Sequence, residues 1–102
     1  LLGDRTWRRM SAALRQLKEA GVPLLASSDA GAIPRLRHES LAGAVEVLAR
    51  MAALDNSSAL RAATSRCAEA LGLQGECGRL AEGLAADLLL VSGDPTKELA
   101  AL

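Results

Sequence analysis

The sequence predicts an α/β chain with a short, glycine-punctuated β section at its end. Three observations predict it. A helix-period segment is followed by a glycine and then a buried-type apolar run, the order of half a β/α repeat. Two further helical patterns follow that run. After Gly72 the texture changes to short apolar runs separated by Gly75, Gly78, Gly83 and Gly93.

Residues 4–20, "DRTWRRMSAALRQLKEA", carry Trp7, Met10, Leu14 and Leu17 at three- and four-residue steps. That spacing places them on one helix face. Asp4 or Thr6 can cap the start, because a side-chain oxygen can accept from an otherwise unpaired amide. Gly21 stands where a left-handed helix exit favours glycine.

Residues 22–28, "VPLLASS", show no polar alternation until their end. A strand buried on both faces reads this way, and Pro23 is tolerable only near its beginning. The run ends on Asp29, followed by Ala30 and Gly31. An aspartate there can form a turn, or it can be a carboxylate held over a pocket.

Residues 29–37 read as a loop, and a helix is expected from about His38 to Leu54 with Leu41, Val45, Leu48 and Ala52 inward. "DNSS", residues 55–58, breaks it and offers caps for a helix running to about Leu71. The inward face of that helix is Leu60, Ala63, Cys67 and Leu71, with Thr64 packing or capping within it. Two short β runs follow, near Arg79 to Ala81 and at residues 87–92, "DLLLVS". Asp94-Pro95 signals a turn, and "TKELAAL" is a short terminal helix or a frayed tail.

Composition narrows the partners. The chain has 102 residues, enough for a modest core. Twelve basic residues balance twelve acidic ones, so charge gives no argument for nucleic acid or an anionic membrane. Two cysteines, Cys67 and Cys77, are too few for a disulfide framework and are not spaced as C-x-x-C; a reduced, cytoplasmic setting is expected. No apolar run approaches the roughly 20 residues that span a bilayer, and no basic-then-apolar leader is visible. The opening "LLGDRTW" lacks a methionine, which suggests a piece of a longer protein.

Three blocks in order carry a family resemblance. The first is Ser28-Asp29-Ala30-Gly31. The second is Ala59, Leu60, Ala63, Thr64, Ala68, Leu71, Gly72 and Leu73. The third is Gly78, Leu80, Gly83, Ala86, Asp87, Leu88, Asp94 and Pro95. Together they make the chain resemble the C-terminal end of a metal-dependent amidohydrolase, in the imidazolonepropionase-like and dipeptidase-like branch. Two departures are small: Ser28 stands where threonine is usual, and Leu84 where lysine is common.

The resemblance implies a fold: the last helix–strand–helix units of a TIM-like (β/α)8 barrel in residues 1–73, and returning strands of a small β-sandwich plus a tail in residues 74–102. It implies hydrolysis of a carbon–nitrogen bond, in an amide, cyclic amide, amidine or dipeptide, by a metal-activated water. It makes Asp29 the metal ligand and the catalytic proton acceptor at the end of a barrel strand. A carboxylate suits both roles, since it binds divalent cations and accepts protons. His38, the only histidine, is then a substrate-binding candidate at the pocket mouth; read alone, it is a solvated helix-start histidine.

The implied cofactor is a divalent metal, zinc first. Its histidine ligands are absent from this chain, and a catalytic zinc takes three protein ligands and a water. The expected partners are a small-molecule substrate, the barrel residues N-terminal to this segment and a homo-oligomer, with no nucleic acid and no membrane. The alternative reading is a non-catalytic remnant or small interaction domain derived from an amidohydrolase.

Overall fold

The computed structural model describes residues 3–32, 34 and 37–102. Among them are four α-helices, α1 (Asp4–Glu19), α2 (Leu41–Ala52), α3 (Asn56–Ala63) and α4 (Ser65–Ala70). Short 3-10 turns lie at His38–Ser40 and Leu99–Ala101. None of these helices is long and apolar enough to cross a membrane.

The α/β expectation is overturned, and with it the barrel segment and the sandwich strands: the described residues contain no β-strand. The physical reason lies in the two segments expected to pair. A strand exists only through a neighbour that takes its N–H and C=O groups. Residues 22–28 instead lie extended against the helices, with Leu24 and Ala26 buried and Val22 and Leu25 over 40% exposed. Residues 87–92 take no regular structure, and all of them but Val91 are exposed. The two segments do not pair with each other.

The helices form where their periods demand, with shifts at the ends. α1 packs on α2 through Trp7, Ser11, Leu14 and Lys18, which are buried or half-buried; Met10 and Leu17 stay 43% exposed. The expected face is thus rotated by part of a turn. Gly3 occupies the N-cap without a side-chain bond, and Asp4 instead pairs with Arg8 at 2.9 Å, one turn on.

α1 also caps the end of α2. Lys18 Nζ donates to the Ala53 carbonyl at 2.8 Å and Arg15 Nε to that of Met51 at 3.3 Å. The Arg50 guanidinium lies 5.8 Å from the Trp7 ring centroid. The last carbonyls of a helix have no intrahelical donors, so basic side chains from a neighbour satisfy them and favour the negative end of its dipole. α2 leaves through Ala53 at φ +50.

The second helical stretch begins as expected and then breaks. Asp55 is the N-cap of α3, accepting from the Ser58 N–H at 2.8 Å. At Thr64, with φ −128 and ψ −97, the helix is interrupted and restarts as α4. The Thr64 hydroxyl donates back to the Leu60 carbonyl at 2.8 Å. The break leaves the Ala62 carbonyl free for other donors. Gly78 fits against it: at φ +96, an added Cβ would lie 2.5 Å from the Ala68 Cβ and 3.3 Å from the Ser65 Cα.

The core is built from small side chains. Ala26, Val45, Ala49, Ala59, Ala62 and Leu99 are its buried cluster, with Leu48, Leu54, Leu60, Ala63 and Leu102 packed against it. Leu99 brings the C-terminal turn onto α2. A buried methyl contributes about 0.8 kcal/mol, so an alanine core supplies little. Leu71, Leu80 and Leu88 to Leu90 are 69–97% exposed. The radius of gyration is 14.4 Å, against about 13 Å for a compact chain of this length.

Candidate functional site

Asp29 closes the extended segment. The segment is anchored where the Ala26 N–H donates to the Ala62 carbonyl at 2.8 Å. The Cys67 thiol donates to that same carbonyl at 3.0 Å. Cys67, expected in the core, is half-buried. Three residues beyond Ala26 the backbone turns.

Two serines build the turn. Ser27 Oγ accepts from the Asp29 N–H at 3.4 Å, and Ser28 Oγ accepts from the Ala30 N–H at 3.2 Å. Each hydroxyl bonds the backbone two residues on, the local pattern by which serine competes with regular structure. The Asp29 carbonyl accepts from the Ala32 N–H at 3.2 Å. Asp29 itself sits at φ +50. A non-glycine residue there costs of order 1–2 kcal/mol, and aspartate tolerates it better than most. The result is an exposed carboxylate at the head of a pinned segment.

Ser27 is the residue that sequence reasoning missed. Its signal was present in the run Ser27-Ser28-Asp29, since consecutive hydroxyl residues before an aspartate favour such turns. His38 begins the 3-10 turn at His38–Ser40; its side chain lies outside the described residues, as do Ile33, Arg35 and Leu36 of the intervening loop. Asp29 and His38 are therefore not brought together by anything described. Two clefts of about 600 Å³ each are lined by other residues and not by Asp29.

The described residues do not fit a metal. They contain no group of three His, Cys, Asp or Glu side chains able to hold one. A lone carboxylate is one donor of the three that a catalytic zinc takes from protein. What Asp29 offers alone is a proton-accepting oxygen at a fixed place.

Comparison with known proteins shows the family. The sequence model described as "Amidohydrolase family" matches residues 2–98. Imidazolonepropionase of Ralstonia nicotianae (strain ATCC BAA-1114 / GMI1000) is 39% identical over 89 residues. That stretch is 85% of this chain and 21% of the relative, so the chain spans about a fifth of the curated protein it matches. No solved structure matches it.

Proposed function

Because the chain belongs to the amidohydrolase family, we propose that it forms part of a hydrolase of carbon–nitrogen bonds, to which it contributes Asp29. The substrate class is an amide, cyclic amide or amidine. Imidazolonepropionase, the relative found, is about five times as long as the matched stretch, and the activity needs groups that this chain lacks. The supporting observation is an exposed aspartate at φ +50, at the head of a segment anchored to the helices. Unfavourable backbone held by its surroundings is where functional strain is looked for.

In the proposed reaction Asp29 acts as general base. A water oxygen attacks the carbon of the C–N bond, and an Asp29 oxygen takes the proton released. The C–N bond then breaks, and the nitrogen leaves with that proton. Members of this family are typically metal-dependent, and the described residues supply no cluster that would hold the metal by themselves. His38 is a proposed substrate contact.

A second reading has its own support. With one carboxylate and no ligand cluster among the described residues, the 102-residue chain by itself would be a non-catalytic domain. The two readings separate in one experiment. The complete reading frame containing this sequence is expressed beside the 102-residue chain, and both are assayed for ammonia or amine release from a panel of amides and cyclic amides, with zinc content by mass spectrometry. The expected result is turnover and bound zinc in the complete product only. Inactivity of both across the panel favours the non-catalytic reading. A stoichiometric, sub-micromolar zinc site on the 102-residue chain would show that the donor set has been misread.

A further inference from the structure

We propose that Ser27 and Ser28 are positioning residues for Asp29: each hydroxyl fixes one of the peptide planes that flank the aspartate's Cα, and together they set the direction in which its carboxylate leaves the backbone.

A peptide unit is rigid and planar, so only φ and ψ turn between one unit and the next. Once the planes on both sides of a Cα are held, the direction of its side chain is held too. The plane before Asp29 carries the Asp29 N–H, which donates to Ser27 Oγ at 3.4 Å. The plane after it carries the Asp29 carbonyl and the Ala30 N–H. That N–H donates to Ser28 Oγ at 3.2 Å, and the carbonyl accepts from the Ala32 N–H at 3.2 Å. Ser27 thus acts on φ and Ser28 on ψ. The ties matter here because Asp29 sits at φ +50, a conformation that residues other than glycine take only when something holds them in it.

The two hydroxyls act as a pair. The Ser27 bond is the one hydrogen bond on its plane among the described residues, but at 3.4 Å it is the longer and weaker. The Ser28 bond is shorter, and its plane keeps the Ala32 bond when the hydroxyl is lost. Ser27 is exposed and Ser28 half-buried, so trimming either to alanine opens no core cavity. The base of the segment is held separately, by the Ala26 N–H on the Ala62 carbonyl at 2.8 Å. Loss of both hydroxyls therefore frees the head of the segment and leaves its anchor in place.

The consequence for rate rests on the reading of Asp29 as a general base. A base works only within hydrogen-bond reach of the proton it takes, and misplacing a reacting group costs turnover more than binding. Backbone ties from neighbouring hydroxyls supply that placement before substrate arrives.

The test compares Ser27→Ala with Ser28→Ala in one double variant, Ser27→Thr with Ser28→Thr in another, and Asp29→Asn. In the isotope-labelled 102-residue chain, the intraresidue amide-to-Hα nuclear Overhauser effect of Asp29 is strongest at positive φ. The double alanine variant should weaken it, with helix content by circular dichroism and protection of the Ala26 amide unchanged. The double threonine variant should keep it, because threonine hydroxyls make the same turn bonds. In the complete protein the double alanine variant should lower kcat about tenfold with KM little changed, and the double threonine variant should restore it. An unchanged Asp29 signal in the double alanine variant overturns the inference. So does failure of threonine to restore kcat, or an unaltered kcat in the double alanine variant where Asp29→Asn loses it; each leaves the catalytic reading standing. Near-wild-type turnover of Asp29→Asn overturns the catalytic reading, and the positioning role with it.

Discussion

The backbone N–H of Ala26 donates to the carbonyl of Ala62 at 2.8 Å, tying the extended segment to the last turn of α3. That carbonyl is available because the helix breaks at Thr64, and the Cys67 thiol takes it as well. The bond fixes where the segment sits and hence where Asp29 turns off it. A helix terminus thereby does the anchoring that a neighbouring strand does in a sheet.

Hydrogen exchange should show this single anchor. Within residues 22–28 the amides of Val22 and Ala26 have backbone acceptors, the first at the Leu17 carbonyl at 2.9 Å. Both should be protected. Those of Leu24, Leu25, Ser27 and Ser28 should exchange nearly as fast as in an unfolded peptide. Protection at every second residue, read by two-dimensional NMR, would instead mean that the segment pairs as a strand.

Gly78 should be the least replaceable glycine. Gly78→Ala drives a Cβ to 2.5 Å from the Ala68 side chain at a φ of +96, combining a clash with a backbone conformation that alanine resists. The expected loss is about 2–4 kcal/mol. Gly72→Ala, at φ +73 with nothing within 4 Å, carries only the backbone cost of about 1 kcal/mol. Urea melts of the two variants check the difference, and equal losses would mean that Gly78 does not touch the helix break.

The helices were legible because their apolar residues recur at the helical period. Val45 and Ala52 are buried as that period predicts, but the second stretch buries Ala59, Ala62 and Ala68 in place of the expected Leu60, Ala63, Cys67 and Leu71, of which Leu71 is 72% exposed. The break at Thr64 was not legible, since Ala62-Ala63-Thr64-Ser65 contains neither proline nor glycine. The β reading failed for a different reason. Leu88 to Leu90 have strand-compatible character, but hydrophobicity states a preference for burial and does not supply the partner that provides it. The S-D-A-G turn was legible as a turn and as a family mark; the positive φ of Asp29 and the hydroxyl of Ser27 that supports it were not.

Acid should loosen the chain through two capping aspartates. The Ser58 N–H and then the Ser58 hydroxyl hold the Asp55 carboxyl below its ordinary value of 3.8. The Thr96 hydroxyl and then the Thr96 N–H do the same for Asp94. Asp94 sits in a turn that Asn56, at the start of α3, contacts through the Thr96 carbonyl at 3.1 Å. A group whose folded pKa is depressed adds stability that is fully present above its unfolded pKa and is lost as pH falls through the folded one. The urea midpoint should therefore hold steady above about pH 5 and decline below about pH 4. Asp55→Asn with Asp94→Asn should flatten that decline, since asparagine still caps but does not titrate. An unchanged acid limb in the double variant would place the titrating groups elsewhere.

The decisive variant is Asp29→Asn in the complete protein, if it proves to be the proposed hydrolase. Asparagine is close to aspartate in size and also tolerates positive φ, so the turn built by Ser27 and Ser28 should survive, and the melting temperature should barely move. The amide oxygen cannot act as a base at neutral pH. Losing a general base costs roughly a hundred- to ten-thousand-fold in turnover. Asp29→Ala separates the two roles further: it removes the base and also strains the backbone at φ +50, so it should lose stability as well as rate. His38→Asn should act mainly on KM if that side chain contacts substrate. Turnover, KM and bound metal are measured for all three variants. Near-wild-type turnover with full metal in Asp29→Asn would reduce Asp29 to a turn residue and remove the basis of the catalytic reading.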